Sequence, residues 1–264
     1  MQLCSIASSS SGNCIYVGTE NTSLLIDVGI SKKKIVAGLK EIGIDPNEIN
    51  GILITHEHSD HIKSIGVISR AYSIPIYATK GTIEQIKNDK KLGDIKSELF
   101  IEIVADKGFV INDIFIEAFN ISHDAAEPVC YNFLKGDKKI SIATDLGCYN
   151  DYIKEKLKGT NILFIEANHD KKLLEVGPYP YFLKRRILSD LGHLSNEASG
   201  KLIADVLHTE LKHIILGHLS KENNFPELAF ESISLELKES DCEYLNDIKI
   251  AIANSDGFIK PVKL

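Results

Sequence analysis

Short apolar runs alternate with amphipathic stretches along the first part of the chain. The strand-like runs lie at 2–7, 14–18, 23–27, 51–54 and 76–78. Helical periodicity covers 31–42, 60–72 and about 79–88. In the first of these helical stretches Ile35, Leu39 and Ile42 fall on one face, as expected for a helix that packs on a core. This alternation of strands and helices predicts an α/β layered fold.

The second part of the chain begins with a β-rich stretch and then returns to alternation. Its strand-like runs lie at 100–104, 109–111, 114–120, 130–134, 138–143, 161–166, 212–216 and 248–253. Helical patterns cover 181–188, 196–207 and 225–238, and Ser195 is placed to cap the second of these. Gly136-Asp137 predicts a hairpin turn. Without a repeat, a low-complexity linker or a composition shift, residues 1–264 are expected to form a single domain.

Composition narrows the class of protein. Hydrophobic residues make up 44% and charged residues 25% of the 264 positions, which is ordinary for a globular protein. Neither an N-terminal signal pattern nor an apolar run near the ~20 residues of a membrane span is present. The five cysteines include no C-x-x-C pair, so we expect a reduced, cytoplasmic protein with no membrane partner. The net charge of -7 does not favour a nucleic-acid substrate, although local basic clusters could still meet phosphate.

The strongest chemical signal follows a buried strand, where three histidines and an aspartate occur within six positions. His56 and His58 point to the same side of an extended loop, because side chains alternate along extended backbone. Ser59 is placed to cap the next helix, which puts Asp60 and His61 beside the histidine pair. Imidazole and carboxylate groups together suit zinc, manganese or iron. The loop therefore predicts a metal site.

This Thr-His-x-His-x-Asp-His sequence at a strand end resembles the signature motif of the metallo-β-lactamase superfamily. The resemblance implies an αβ/βα sandwich, in which two mixed β-sheets are flanked by helices. It implies that Asp27, at the end of a buried strand, supports the histidine loop without binding metal. It also implies further ligands downstream, in an order that His123, Asp145 and His218 satisfy. The implied set is one metal at His56, His58 and His123, a second at Asp60, His61 and His218, and Asp145 as a bridge between them.

Two divalent ions about 3.5–4 Å apart can hold a bridging water, lower its pKa toward neutrality and clamp the oxygens of a displacement at phosphorus. Asp60 can orient that hydroxide or accept its proton. The leaving oxygen also needs a proton donor, for which His193 and His169 are candidates. We favour His193, because Ser195 and Asn196 open a helix just after it and a helix N-terminus is an anion site. The alternative is that His193 only helps to cap that helix.

Several polar and basic positions could hold a substrate phosphate. The run from Ser8 to Asn13 offers hydroxyl and backbone N–H donors, although an ordinary turn has the same composition. The helix over 181–188 carries three consecutive basic residues. The predicted phosphate contacts are Ser11, Asn13, Asn168, Arg185, Arg186, Ser195 and Asn196.

Four further segments narrow the resemblance to the YycJ/WalJ-type branch of the superfamily. They are Ser-Ser-Ser-Gly-Asn-Cys at 9–14, Glu-Ala-Asn-His-Asp at 166–170, Arg-Arg-Ile at 185–187 and Gly-His-Leu-Ser-Asn at 192–196. That branch implies a compact fold without the extra nuclease-associated domain of the RNase J group. It also implies a metal-dependent 5′-to-3′ exonuclease that acts on DNA and is linked to mismatch repair. RNA stays open as a substrate, and the oligomeric state is not indicated.

Two other functions stay open. The first is hydrolysis of a small thioester or ester by a glyoxalase-like enzyme, which would need a substrate-binding region after His218. The tail over 221–264 is short and core-like for that purpose. The second is a non-catalytic metal-binding regulator, for which a degraded ligand set is expected, yet all seven ligand positions are filled. Asp145 as the bridge and the lack of a cysteine at a metal motif argue against β-lactam hydrolysis, and His58 argues against the chemistry of oxygen-reducing diiron relatives.

Overall fold

Two seven-stranded β-sheets pack face to face between layers of helices in the computed structural model, which describes residues 1–240, 244–253 and 257–264. The strands, in chain order, are β1 Gln2–Ala7, β2 Cys14–Gly18, β3 Ser23–Ile26, β4 Gly51–Leu53, β5 Ile76–Thr79, β6 Phe100–Ile103, β7 Phe109–Ile111, β8 Ile114–Asn120, β9 Val129–Lys135, β10 Lys138–Ala143, β11 Ile162–Glu166, β12 His213–Gly217, β13 Lys249–Ile252 and β14 Val262–Lys263. The first sheet runs β14-β1-β2-β3-β4-β5-β6 and the second runs β13-β12-β11-β10-β9-β8-β7. Both sheets mix parallel and antiparallel pairs.

Nine α-helices are described, and those that cover the sheets lie on their outer faces. They are α1 Lys32–Glu41, α2 Ser59–Ile62, α3 Ile65–Tyr72, α4 Lys80–Asn88, α5 Asp151–Leu157, α6 Lys171–Val176, α7 Tyr181–Ile187, α8 Asn196–Asp205 and α9 Pro226–Glu239. None of them combines the length and the apolar character that crossing a membrane requires. The predicted sandwich of two mixed sheets flanked by helices is confirmed.

Alternating side chains divide the interior into three apolar layers. In β3, Leu24 and Ile26 face the second sheet, while Leu25 faces the helices on the outer side. The layer between the sheets includes Phe133 from β9 and Phe164 from β11, both fully buried. The outer layer of the first sheet packs against α1, α3 and α4, and that of the second sheet packs against α5, α8 and α9. The two sheets are therefore fixed to each other by a shared core.

The carboxyl ends of several neighbouring strands meet at one edge of this sandwich. In the first sheet β3 and β4 are parallel, and in the second sheet β10, β11 and β12 are parallel. The loops that leave parallel strands emerge at the same edge of a sheet. This topology brings the chain after Ile26, Leu53, Ala143, Glu166 and Gly217 to one place, where the sequence motifs lie.

The prediction of one continuous helix over 60–72 is wrong, because this range forms parts of two helices. α2 ends at Ile62, and Ser64 leaves the helical conformation with its N–H donating to the carbonyl of Val28 at 2.9 Å. Ser59 is not the cap: it is the first residue of α2, and His58 occupies the cap position without a side-chain bond. The hairpin at Gly136-Asp137 is confirmed, since β9 and β10 pair with Lys138 opposite Lys135.

Candidate metal centre

Asp27 and Thr55 support two motif histidines, in each case at the Nδ1 atom of the ring. Asp27 Oδ2 lies 2.7 Å from His61 Nδ1 and accepts its hydrogen bond. Thr55 Oγ1 donates to Asp27 Oδ2 at 2.9 Å and lies 3.0 Å from His56 Nδ1. Both imidazoles are fully buried, and their Nε2 atoms are left to face the centre of the site. A carboxylate that fixes the outer nitrogen of a histidine is the usual support for a metal ligand.

Two loops that precede α1 in the chain hold the backbone of Asp60 and His61 by hydrogen bonds. Asn13 N–H donates to the Asp60 carbonyl at 2.8 Å, and Val28 N–H donates to the His61 carbonyl at 2.7 Å. Gly29 lies so close that a Cβ on it would stand 1.6 Å from the Asp60 carbonyl oxygen. Any side chain at Gly29 would therefore displace Asp60 and His61 from the site.

Three histidines converge on one point. His56 Nε2 lies 3.0 Å from His58 Nδ1, and His123 Nε2 lies 3.3 Å from that same nitrogen. His123 Nδ1 donates to the carbonyl of Gly192 at 3.0 Å, which fixes the ring. Burial lowers the pKa values of His56 and His123, which favours the neutral imidazole that binds metals. This cluster can hold a divalent ion.

A second cluster of ligand atoms lies beside the first. Asp60 Oδ2 lies 3.3 Å from His61 Nε2 and 3.4 Å from His218 Nε2. Asp145 connects the two clusters, with Oδ1 3.4 Å from His218 Nε2 and 3.8 Å from His123 Nε2, and Oδ2 3.4 Å from His61 Nε2. All seven residues named by the resemblance are thus brought together at one edge of the sandwich.

Asp145 has a carboxylate oxygen that suits a cation ligand. Its Oδ2 is buried without a hydrogen-bond partner among the described residues. An unpaired carboxylate oxygen in the interior is costly unless a positive charge satisfies it. Asp27, Asp145 and His218 also share a left-handed backbone, with φ of 60°, 60° and 55°. Each follows directly or closely on a strand end, and this sparsely populated conformation is typical of functional turns.

The charged groups of the centre perturb one another strongly. Burial lowers the pKa of His61, but the carboxylates of Asp145, Asp27 and Asp60 outweigh it and raise that pKa well above its ordinary value. Burial likewise opposes protonation of His218, whose pKa is nevertheless raised by Asp145 and Asp60. For Asp60 burial raises the pKa, but His61 and His218 hold it well below the usual range. The carboxylates of Asp60 and Asp145, whose pKa values the surrounding imidazoles lower, are therefore ionised and suited to bind cations.

Glu166 lies in the site, although the sequence motif that contains it predicted no role for it. It is the last residue of β11, it is fully buried, and its Oε2 accepts from His193 Nδ1 at 3.1 Å. Its Oε1 accepts from the N–H of Leu146 and, at 3.1 Å, from that of Leu194. The available signal was an acidic residue that ends an otherwise apolar strand, beside the other motif-bearing strands.

His193 lies against the two clusters and does not cap α8. Ser195 caps that helix, as predicted, by accepting from the N–H of Ala198 at 3.2 Å. The His193 imidazole instead bonds Glu166 and lies 3.7 Å from Asp145 Oδ1. The other candidate acid, His169, is buried with neither ring nitrogen hydrogen-bonded among the described residues. Burial, followed by the nearby His193, lowers the pKa of His169 to about 4.

A polar cavity of about 210 Å³ opens beside these groups. Its walls are Ser10, His58, Asp60, Asp145, Asn168, Tyr179, Leu183, Arg186, Ile187, His193, His218 and Ser220. A larger cavity of about 520 Å³ lies between α9 and β13, but Lys238 is the one ionisable side chain in its wall. The smaller cavity is the one that candidate metal ligands line.

Two of the seven predicted phosphate contacts, Asn168 and Arg186, line the cavity, while the other five lie outside its wall. Asn13 is buried, and its amide bonds Ser9 O at 3.1 Å and lies 3.2 Å from His61 Nε2. From the same loop Ser10, not Ser11, faces the cavity. Ser195 is buried at the start of α8, and Asn196 is bonded to Asn224. Asn13, Ser195 and Asn196 therefore support the site and do not face its cavity.

The basic residues of α7 have different surroundings. Arg186 forms a two-pronged ion pair with Asp124, in which Nη2 donates to Oδ1 at 2.9 Å and Nε donates to Oδ2. Asp124 Oδ1 lies 3.6 Å from His123 Nε2 and 3.8 Å from His58 Nε2. Arg185 instead places its guanidinium 6.0 Å from the centre of the Tyr181 ring. Arg186 thus neutralises a carboxylate at the cavity mouth, and Arg185 is directed elsewhere.

Two proteins named exodeoxyribonucleases are similar to most of this chain. The chain is 45% identical over 236 residues to "Exodeoxyribonuclease YycJ" of Bacillus anthracis, which covers 89% of this chain and 88% of that protein. It is 42% identical over 251 residues to "Exodeoxyribonuclease WalJ" of Streptococcus pneumoniae, which covers 95% of this chain and 93% of that one.

Solved structures share the fold at low sequence identity. Zn²⁺-bound PqqB from Methylobacterium extorquens aligns with a TM-score of 0.73 at 14% identity over 100% of both chains. The metallo-β-lactamase fold protein YhfI from Bacillus subtilis aligns with a TM-score of 0.71 at 17% identity over 98% of both chains. The family model described as "Beta-lactamase superfamily domain" matches residues 22–218. The chain therefore belongs to the metallo-β-lactamase superfamily, in the branch of its YycJ and WalJ relatives.

Proposed function

We propose that this protein is a metal-dependent phosphodiesterase that removes nucleotides from DNA in the 5′-to-3′ direction. The relatives that cover most of the chain are named exodeoxyribonucleases. The observation that carries the proposal is the position of Asp145 between two clusters of three ligands each, with Oδ2 buried and without a hydrogen-bond partner among the described residues. We treat residues 1–264 as one catalytic domain, because strands of both sheets contribute to this centre.

The donor set fits two divalent cations, which we take to be zinc, manganese or iron. His56, His58 and His123 would hold one of them, Asp60, His61 and His218 the other, and Asp145 would contact both. Nitrogen and oxygen donors of this kind suit those metals, and the ionised carboxylates balance part of their charge. When bound, the two cations supply Lewis acidity toward a phosphate and lower the pKa of water toward neutrality.

The chain's own residues supply orientation and proton transfer. Asp60, held ionised by its imidazole neighbours, accepts a hydrogen bond from the attacking water and orients it toward phosphorus. His193 donates a proton to the leaving oxygen. Glu166 fixes the ring of His193 by accepting from Nδ1, so that Nε2 is the nitrogen available to the substrate. Asp145 serves as a ligand and takes no part in proton transfer.

A panel of substrates tests this proposal against its rivals. The purified protein is loaded in turn with zinc, manganese or iron and offered DNA, RNA of the same sequence and a small thioester. We expect fast release of nucleotides from DNA, and the RNA arm measures how strictly DNA is preferred. If the thioester is hydrolysed quickly while DNA stays intact under every metal, the protein is a small-molecule hydrolase. If nothing is turned over, a metal-binding regulator becomes the better account.

A further inference from the structure

We propose that the α7 side of the polar cavity holds the deoxyribose of the nucleotide that is released, and that its apolar wall discriminates against a 2′-hydroxyl on that sugar. This inference rests on the proposed nuclease function and deepens it. Leu183 and Ile187 are the residues that carry it.

One wall of the cavity comes from a single stretch of chain. Tyr179, Leu183, Arg186 and Ile187 all line the cavity. Arg186 and Ile187 lie three and four residues after Leu183, and residues at these spacings share one face of a helix. The guanidinium of Arg186 is engaged by Asp124 through Nε and Nη2. Leu183 and Ile187 therefore give this side of the cavity an apolar surface.

The remainder of the cavity wall is largely polar. It includes Ser10, Asn168 and Ser220, together with the candidate metal ligands Asp60 and His218. A metal-loaded, hydroxyl-bearing surface suits the charged oxygens of a phosphate, whereas an apolar surface suits the carbon atoms of a sugar. The cavity is therefore able to orient a nucleotide across its width, with the sugar toward α7.

The backbone places His193 directly beside the apolar wall. Its N–H donates to the carbonyl of Ile187 at 3.1 Å. A Cβ on Gly192 would stand 2.2 Å from that same carbonyl oxygen, so the chain can turn back this closely only at a glycine. The His193 imidazole also lines the cavity. A group that takes a proton from His193 therefore lies next to the α7 wall.

The chemistry of 5′-to-3′ cleavage identifies that group as O3′ of the terminal nucleoside. The oxygen of water bonds to phosphorus as the P–O3′ bond breaks, O3′ takes the proton of His193, and the proton that the water loses restores His193. C2′ is bonded directly to the carbon that bears O3′. The 2′ position of the released sugar is therefore held close to His193 and against Leu183 and Ile187.

A 2′-hydroxyl in this position would lose its water without gaining a partner from Leu183 or Ile187. Burying a hydroxyl that makes no hydrogen bond is unfavourable, whereas the 2′-methylene of deoxyribose suits an apolar wall. An apolar site rejects an added hydroxyl by up to about a hundredfold. The wall therefore favours DNA over RNA by a moderate factor.

The size of the cavity leaves the base outside it. Its volume of about 210 Å³ is below the ~300–1,000 Å³ of sites that enclose a drug-sized ligand. A phosphate and its sugar occupy this space without the base. The discrimination therefore concerns the sugar and is independent of base sequence.

The test uses 5′-phosphorylated DNA duplexes that differ only at the 2′ position of the first nucleotide, which carries hydrogen, hydroxyl or fluorine. Wild type should cleave the deoxyribose end about ten- to a hundredfold faster in kcat/KM than the ribose end. The fluorine end, which carries a small substituent that donates no hydrogen bond, should be cleaved about as fast as the deoxyribose end. Cleavage of the fluorine end as slow as that of the ribose end would show that the wall acts by bulk alone, which would overturn the proposal.

Variants of the wall test the assignment of residues. Leu183→Asn introduces a side chain of similar size that can bond the hydroxyl, so it should reduce the preference to about threefold or less. Leu183→Met should keep the wild-type preference. The matched control is Leu188→Asn, because Leu188 follows α7, is 47% exposed and lies outside the cavity wall.

Tyr179→Phe removes the hydroxyl group of a neighbouring wall residue and should leave the preference unchanged. If this variant instead slows cleavage of the ribose end selectively, Tyr179 bonds the 2′-hydroxyl and the proposal is wrong.

Metal content and melting temperature of each variant are measured to confirm folding. The proposal is also overturned if wild type cleaves the deoxyribose and ribose ends equally fast, or if Leu183→Asn retains the full preference. Either result leaves the nuclease proposal standing, because DNA is cleaved. If wild type cleaves none of the duplexes with any metal, the nuclease proposal fails and this inference fails with it.

Discussion

Glu166 Oε2 lies 3.1 Å from His193 Nδ1, at the end of a strand that separates two of the ligand-bearing strands in the second sheet. The carboxylate is also anchored by the backbone N–H groups of Leu146 and Leu194. A buried carboxyl group held in this way fixes both the orientation and the tautomer of the imidazole. The pair therefore holds the His193 imidazole beside Asp145, where the proposed function needs a proton donor.

His193→Ala should retain both metals yet slow DNA cleavage by ~10²–10⁴, which is the usual contribution of a positioned acid. A substrate with a better leaving group should be slowed far less, because its departure needs no proton. Glu166→Gln should show the same dependence on leaving group with a smaller loss. His213→Ala, a histidine at the start of β12 away from the centre, serves as the control. Loss of a metal from His193→Ala would instead identify this residue as a ligand.

Asp145→Ala should lose metal and abolish cleavage. Without its carboxylate, two closely spaced cations repel each other with little compensation. Calorimetric titration of metal into wild type and variant measures the stoichiometry. Two equivalents per chain are expected for wild type, and a value that stays near one under saturating conditions would rule out the dinuclear centre.

Metal affinity should rise with pH. The carboxylates around His61 and His218 raise the pKa values of both imidazoles in the metal-free protein. The ion pairs that they form stabilise that protein fully below the unfolded-state pKa, and this stability is lost as pH rises through the raised values. A cation must displace these protons, so its affinity should increase by about ten- to a hundredfold per pH unit until both are gone. Competition with a chelator between about pH 6 and 8 measures this; an affinity independent of pH would contradict it.

Arg185 and Arg186 should differ when replaced. Arg185→Ala should weaken DNA binding at every sequence and reduce the salt slope by about one, as expected for one lost phosphate contact. Arg186→Ala should be more damaging, because it exposes the Asp124 carboxylate beside His58 and His123. Adding Asp124→Asn should restore much of that loss. Equal effects of the two single variants, without rescue, would show that both arginines act only through phosphate.

The fold and the convergence of the ligands were predictable from the sequence because both follow from short-range patterns. Apolar runs mark strands, and His56, Asp145 and His218 each lie shortly after such a run, where parallel strands bring them to one edge. The role of Glu166 was not predictable, because it depends on how β11 and the loop after α7 meet. Neither was the break between α2 and α3, which a tertiary bond from Ser64 to Val28 causes.

The predicted phosphate contacts were likewise predictable only in part, because their chemistry is local but their surroundings depend on distant parts of the chain. Asn13 and Asn196 have the donor chemistry that a phosphate needs, and turn composition identifies them. Their burial, and the bonds that occupy their amides, are set by loops distant in sequence. Tyr179 and Leu183 also line the cavity, but neither belongs to a run of metal ligands or basic residues, so the sequence pattern does not identify them.

The direction of cleavage is measured on a DNA strand that is labelled at one end and treated with the metal-loaded protein. With a 5′ label, a 5′-to-3′ exonuclease releases the label at once in mononucleotide-sized product. With a 3′ label, the same activity gives a ladder that shortens progressively from the opposite end. Asp145→Ala should release neither product. Release of the 3′ label first, or internal cuts that leave both labels on long fragments, would contradict a 5′-to-3′ exonuclease.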